Sequence, residues 1–319
     1  MLEVRELAFA GNEEGVSHRF AQGSITVVLG RNNSGKTWLA RSIAGLEVSP
    51  PGTIWIDGQD VSALGARERK VGLVYQAFVN YPTLNVYRNI ASPLIAAKRS
   101  REVIERTVRE LAERLQIDAL LRRFPDELSG GQQQRVAIAR ALAQGGKVLV
   151  MDEPLVNLDY KLREELELQL RDLLSTGELV VVYTTSDPKD AFKLGDHVLL
   201  LDDHRLLQSG APLDVYRNPA TITTADLMSD PGVNVVDTDT GLRPEHITLH
   251  RRSASDLVFE SVLVGLETNG SESFLHCRWS EQDWVVKLSG MVDIALGTGL
   301  QLFAHQADVL RFGGARGGD

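Results

Sequence analysis

Eight consecutive residues, Gly30, Arg31, Asn32, Asn33, Ser34, Gly35, Lys36 and Thr37, constrain this chain more than any other stretch. Two glycines frame the run, and the second is followed at once by Lys and Thr, the pattern of a phosphate-binding loop. The apolar residues 25–29 precede it as a strand. Leu39, Ala40, Ile43 and Leu46 follow at helical spacing, with Gly45 near the end. Strand, loop and helix in that order are the context such a loop requires. Its backbone N–H groups curl round phosphates while the positive end of the helix points at them. Lys36 is then placed to reach the terminal phosphates and Thr37 to ligate Mg²⁺.

A second constellation lies farther along. Val148, Leu149, Val150 and Met151 form a wholly apolar strand that ends in Asp152, Glu153 and Pro154. Packing cannot explain two adjacent carboxylates at the end of a buried strand, because an unpaired buried carboxylate is costly. A metal ion and a water supply the partners: Asp152 suits Mg²⁺ and Glu153 suits polarising an attacking water. Between the two sites, Leu128, Ser129, Gly130, Gly131 and Gln132 open a helix. Ser129 is its expected N-cap, and the glycines let a phosphate approach bare backbone. Strand-type residues 71–75 end at Gln76, which read alone is an ordinary surface residue. Phe9 lies where a ring could stack on adenine, against the commoner alternative of a buried core Phe.

At 319 residues the chain is long for one domain, and two are expected. A hydrophobic fraction of 43% with 24% charged residues describes a globular protein with a full core. The net charge of −9 argues against a nucleic-acid partner, whose binding rests on cationic neutralisation of phosphates. Cys277 is the only cysteine, so no internal disulfide and no cysteine metal site is possible, which suits the cytosol. The first residues lack the apolar core of a signal peptide. No apolar run approaches the roughly 18 residues of a membrane span, so a membrane link is expected to come through a partner.

Strands and helices alternate up to about residue 228, which implies right-handed crossovers and a mainly parallel sheet. Within this region Ile104, Val108, Leu111 and Leu115 mark an amphipathic helix of a helical subdomain expected over about 78–145. Leu162, Leu166, Leu170 and Leu173 mark another helix, and a buried strand follows and ends near Thr185, Ser186 and Asp187. From residue 233 short alternating runs at 247–250, 257–266, 273–279, 284–288 and 300–304 read as a small β-barrel or sandwich. The expected division is therefore 1–232 for the α/β domain and 233–319 for the β domain.

Taken in order, the phosphate loop, the Gln76-ended strand, Leu-Ser-Gly-Gly-Gln and the Asp-Glu-Pro strand resemble the nucleotide-binding subunit of an ATP-binding cassette (ABC) transporter. The resemblance covers residues 1 to about 228. It implies a phosphate-loop NTPase fold with a helical subdomain, and a head-to-tail pair of such domains with ATP between the phosphate loop of one and the Leu-Ser-Gly-Gly-Gln of the other. Gln76 would sense Mg²⁺ and water. Ser129, Gly131 and Gln132 would contact the partner's ATP, and Asp159 would lie in the loop crossing the pair.

Gly241, Leu242, Arg243, Pro244, Glu245 and His246 resemble the start of the OB-like accessory barrel (TOBE) on bacterial carbohydrate-importer ATPases of the maltose and glycerol-phosphate type. Three stretches resemble ATPase subunits of glycerol importers: residues 75–94 (YQAFVNYPTLNVYRNIASPL), residues 153–165 (EPLVNLDYKLREE), and Ser229, Asp230 and Pro231 with Asn234. The resemblance implies a peripheral subunit on the cytoplasmic face of the membrane that powers uptake of a small carbohydrate or polyol, glycerol first with a sugar or glycerol phosphate as the alternative, and works with two permeases, a second, non-identical ATPase and, indirectly, a solute-binding protein.

Two positions depart from the family pattern. Asn33 stands where glycine is usual, and Asn is the non-glycine residue best suited to a left-handed conformation. Ser186 stands where most of the family has a histidine that hydrogen-bonds the terminal phosphate. A hydroxyl still donates, with shorter reach and no positive charge. His197 sits too far into the next strand to replace that histidine. Two rival readings remain at this level. A soluble cassette acting on ribosomes or DNA calls for a basic surface or a second cassette in the chain; a catalytically inactive ATP-binding regulator draws its support from Ser186.

Overall fold

The computed structural model describes residues 1–9, 14–77, 79–156, 160–174 and 178–312. Contacts within the chain divide it into two compact units, Met1–Leu213 and Asp214–Asp319. The strands of the first unit are β1 (Leu2–Leu7), β2 (Val16–Phe20), β3 (Ser24–Gly30), β4 (Ile54–Ile56), β5 (Gln59–Asp60), β6 (Gly72–Val74), β7 (Val148–Asp152), β8 (Val180–Thr185), β9 (His197–Asp202) and β10 (Arg205–Gly210). Six of them form a sheet in the order β10-β9-β3-β8-β7-β6, parallel except for the β9–β10 hairpin. Strands β7 and β8 are buried at every residue. That is why residues 148–151 and 180–183 read as apolar runs: a parallel sheet is covered on both faces.

The parallel register sets the site. Leu29 stands opposite Thr185, and Asp152 opposite Thr184, so the C-terminal ends of β3, β7 and β8 finish side by side. Chain leaving these three ends carries the phosphate loop, Glu153 and Ser186. A smaller antiparallel sheet, β2-β1-β4-β5, contributes Leu2, Val4, Leu7, Phe20 and Ile54 to the same hydrophobic core as Val28, Leu39 and Val150.

The helices of this unit are α1 (Lys36–Ala44), α2 (Ala66–Arg69), α3 (Val86–Ala96), α4 (Arg101–Arg114), α5 (Gly130–Ala143), α6 (Tyr160–Leu174) and α7 (Pro188–Leu194). Helices α3, α4 and α5 fall within residues 78–145, the span expected for a helical subdomain. In α4 the apolar stripe faces inward at Val108 and Leu111, while Arg109 pairs with Glu105 on the exposed side. Fully buried Asn89 pins the approach to α3: its amide donates to the carbonyls of Tyr81 and Leu84 and its oxygen accepts from the Tyr81 N–H.

The second unit opens with α8 (Pro212–Arg217, begun in the first unit) and α9 (Ile222–Leu227). Then come β11 (Asn234–Asp237), β12 (Thr240–Leu242), β13 (Ile247–Thr248), β14 (Leu257–Thr268), β15 (Glu272–Trp279), β16 (Gln282–Ser289), β17 (Gly299–Ala304) and β18 (Leu310–Arg311). A five-stranded sheet, β13-β17-β14-β15-β16, curls until it is nearly closed as a barrel round Phe259, Leu263, Leu275, Trp284 and Leu302, and a three-stranded sheet, β11-β12-β18, accompanies it. Asn234 acts as a surrogate backbone pair, donating to the Val285 carbonyl and accepting from its N–H, each at 2.7 Å.

The contact boundary at 213/214 precedes the change of texture expected at 232/233, and the reason is visible in residues 214–232. Arg243 stacks on Tyr216, its guanidinium carbon 3.6 Å from the ring centroid, and donates to the Tyr216 carbonyl and the Ser229 hydroxyl. Asp226 accepts from the Val233 N–H at 3.0 Å. Helical segments are thereby fastened to the β-rich unit.

Candidate functional site

The loop between β3 and α1 has the backbone its sequence demands. Asn33 has φ 64° and Gly35 φ 99°, both left-handed. At Gly30 closeness matters more than φ: a Cβ there would stand 2.2 Å from the Leu201 carbonyl oxygen and 2.4 Å from Ser34 Oγ. Buried Lys36 donates from Nζ to the carbonyls of Gly30 (2.7 Å) and Arg31 (2.8 Å), and the same atom lies 3.4 Å from Glu153 Oε1. Burial draws its pKa below the ordinary lysine value, with Glu153 and Asp152 opposing the shift.

The carboxylates sit beside it. Asp152 is buried at the end of β7 and accepts at Oδ1 from the hydroxyls of Thr184 (2.7 Å) and Thr37 (3.1 Å). Glu153 adopts φ 43°, a costly conformation for a side-chain-bearing residue. Its N–H is held by the Thr184 hydroxyl at 3.0 Å and the Thr184 carbonyl at 3.2 Å. Its carboxylate lies between Lys36 on one oxygen and Gln76 on the other, the Gln76 amide donating at 3.4 Å. Thr37, Asp152 and Gln76 offer oxygen donors of the hard kind, and one carboxylate with a hydroxyl suits a Mg²⁺ ion that takes its other ligands from phosphates and water. Among the described residues no cluster of three or more His, Cys, Asp or Glu forms an all-protein metal cage.

Lys36, Thr37, Asn32, Asn33, Gln76, Glu153 and Ser186 line one cavity of about 610 Å³. Gly30 and Asp152 stand behind that lining. Ser186 is exposed on the segment after β8, and a charged network anchors the segment: Arg163 on α6 meets Asp187 and Asp190 at 2.7 Å each and Glu167 at 2.9 Å. The Thr185 hydroxyl donates to Asp190 at 2.6 Å. Burial raises the Asp190 carboxyl above the usual aspartate value, with Thr185 and Arg163 pulling it back.

Ser129, Gly130, Gly131 and Gln132 do not line this cavity. They form a reciprocal cap at the start of α5: Ser129 Oγ accepts from the Gln132 N–H and the Gln132 side chain accepts from the Ser129 N–H. Gly131 has a packing reason as well, since a Cβ there would meet Leu162 at 2.4 Å. Asp159 lies outside the described residues.

Phe9 requires a correction. It is 4% exposed, belongs to the core, and its ring supports the loop from beneath, 2.3 Å from where a Cβ on Gly35 would be. No face of a ring so enclosed is open to adenine. The cavity wall instead includes Trp38, Arg41, Glu47, Val156 and His204, none of which the motifs single out. The one available signal was Trp38, a large aromatic directly after the loop. His197 stands opposite Thr26 at the start of β9, away from the strand ends, and stacks on His18 at 5.1 Å. His204, in the β9–β10 turn, is the histidine that reaches the cavity, and its backbone N–H donates to the Ser34 carbonyl.

Residues 14–156 match the ABC transporter family. The sn-glycerol-3-phosphate import ATP-binding protein UgpC of Psychromonas ingrahamii is 35% identical, the alignment covering 91% of this chain and 86% of the relative. The protein of that name from Escherichia coli K12 is 32% identical, with 93% and 92% covered. Among solved structures, cbiO1 from Clostridium perfringens, part of the ABC transporter complex cbiONQ, superposes with a TM-score of 0.62 at 25% identity, over 71% of this chain and 94% of that one. A dimeric post-hydrolysis form of the ATP-binding cassette MJ0796, bound to ADP and Pi, gives 0.58 at 28% identity, over 66% and 99%.

Proposed function

Since this chain belongs to the ABC transporter family of import ATP-binding proteins and is an ATPase, we propose that the cavity at the ends of β3, β7 and β8 is where it binds and cleaves ATP to drive solute import. The observation that carries the reading is the Glu153 carboxylate held between Lys36 and Gln76, next to the Thr37–Asp152 pair. Lys36 and the loop N–H groups bind the β- and γ-phosphates. Thr37, Asp152 and Gln76 would hold Mg²⁺, which neutralises charge on the phosphate oxygens. Glu153 takes the proton of a water attacking the γ-phosphorus as the bond to the bridging oxygen breaks and ADP leaves. Ser186 donates to the terminal phosphate in place of the family's histidine.

In this reading Ser129 to Gln132 at the start of α5, where Ser129 and Gly130 are exposed, Gln132 is half-buried and Gly131 is buried, complete the site of a second cassette. Ser186 favours a non-identical second cassette: this chain's own site turns over slowly, while its intact cap serves a faster one. Two copies of this chain in the native complex would overturn that pairing. No helix among the described residues is long and apolar enough to cross a membrane, so membrane association is assigned to permeases docked on the helical subdomain, with a solute-binding protein delivering cargo to them.

The relatives' names favour sn-glycerol 3-phosphate as cargo. Unphosphorylated glycerol is the second reading, carried by the three stretches at 75–94, 153–165 and 229–234. Uptake of each labelled compound by cells expressing the complete importer separates the two. ATP-dependent uptake of one of them that fails with Glu153→Gln is expected. Uptake of neither would remove the polyol assignment.

A further inference from the structure

A nucleotide whose phosphates are fixed at Lys36 must place its base elsewhere along the same cavity, and the wall it meets there is aromatic. Trp38 lies in the first turn of α1, two residues beyond Lys36, and lines the cavity while remaining half-buried. One side of its indole is backed by the Phe9 ring, with centroids 4.2 Å apart and planes inclined at 36°. Phe9 is itself locked into the core and braced by the edge of His204 at 5.1 Å. The indole is thus clamped from behind and presents its remaining surface to the cavity. Beyond it, Arg41 and Glu47, paired at 2.7 Å, bound the same space.

We propose that the Trp38 indole is the platform on which the purine ring of the bound nucleotide stacks, with buried Phe9 holding that platform in place. A flat, rigid, apolar surface next to a phosphate site is what a base needs, because every base offers a π-face and stacking costs the protein little conformational freedom once the ring is clamped. The role sought for an aromatic near the N-terminus therefore falls to a residue after the loop, and Phe9 serves it from behind. The inference rests on Lys36 holding the phosphates.

The test is equilibrium binding of ATP, GTP and inorganic tripolyphosphate to the full chain, wild type against Trp38→Ala and Trp38→Phe. Stacking predicts that Trp38→Ala weakens ATP and GTP by about tenfold or more and leaves tripolyphosphate unchanged, since base–aromatic stacking is sequence-tolerant and absent for a bare phosphate chain. Trp38→Phe should keep most of the affinity. It should also lose the ATP-dependent change in tryptophan fluorescence, although three of the four tryptophans remain. Unchanged ATP affinity in Trp38→Ala overturns the platform. So does an equal loss for ATP and tripolyphosphate, which would make Trp38 a support of the loop. If Trp38→Ala fails to fold, a fluorescence response that persists in Trp38→Phe overturns it instead. A wild-type chain that binds neither ATP nor tripolyphosphate would strike at the phosphate assignment itself, and the platform would fall with it.

Discussion

Replacing Arg163 with Met removes the cation that ties α6 to the segment carrying Ser186 while keeping much of the side-chain volume. Its guanidinium serves Asp187, Asp190 and Glu167 at 2.7–2.9 Å, and the carboxylates of Asp190 and Glu167 are only 2% and 5% exposed. Breaking a buried pair by deleting one partner costs about 3–5 kcal/mol, because a charge is left without its counter-ion. Here part of the compensation survives: Lys193 still meets Glu167 at 2.6 Å and the Thr185 hydroxyl still meets Asp190. The lower end, about 3 kcal/mol, is therefore the expected loss at neutral pH. The loss should also depend on pH. Burial already holds the Asp190 carboxyl above its ordinary value, and removing Arg163 raises it further. A carboxyl whose native pKa exceeds its unfolded value binds protons preferentially in the native state, so acidification favours folding of the variant. Urea unfolding at about pH 8 and about pH 5 should show the variant's deficit shrinking as the pH falls. A deficit under about 1 kcal/mol, the range of an exposed ion pair, or one equal at both pH values would refute the reasoning.

Three further outcomes are expected. Gly35→Ala meets both a φ of 99° and the Phe9 ring at 2.3 Å, so an ATP titration should show binding lost together with stability reduced by more than about 1 kcal/mol. Ser186→His should raise the ATPase rate by roughly 10²-fold if the short, uncharged Ser186 donor limits turnover, and an unchanged rate would count against it. The pKa of His18 is pushed down to about 4 by burial and by His197 beside it. It stays neutral in the fold while the unfolded chain takes up a proton below about 6.5, so its contribution is full above that value and is lost as the pH falls toward 4. At full burial this would be about 3 kcal/mol; solvent access to a half-buried ring reduces it to roughly 1–2 kcal/mol, and His18→Phe should flatten that part of the stability–pH curve.

The parts of the fold legible in the sequence were those with a local physical signature. The apolar runs that open β7 and β8 announce a covered parallel sheet, and Gly30 to Thr37 announce the turn that leaves it. Asn33 was expected to tolerate φ > 0 because its side chain can, and its φ is 64°. What depends on distant partners was hidden. Phe9 reads more readily as a core ring than as one stacked on adenine, and only packing under Gly35 decides. The reason Gly131 must be glycine lies 31 positions away, at Leu162. The Arg163 network joins α6 to the start of α7, and His204 reaches the cavity from a turn with no pattern of its own. Strands as short as β12 and β18, with three and two residues, carry no periodicity to detect.

The most direct test of the central assignment is single-turnover hydrolysis of labelled ATP with Mg²⁺ by the wild-type complex and by Glu153→Gln, read as bound ATP, bound ADP and released phosphate. The variant keeps the shape at φ 43° and the approach of Gln76 and loses the carboxylate that accepts the water's proton. Glu153→Gln is expected to retain ATP uncleaved while the wild type releases phosphate, slowly because Ser186 serves its site. Phosphate released from this chain's site by Glu153→Gln at the wild-type rate would contradict it.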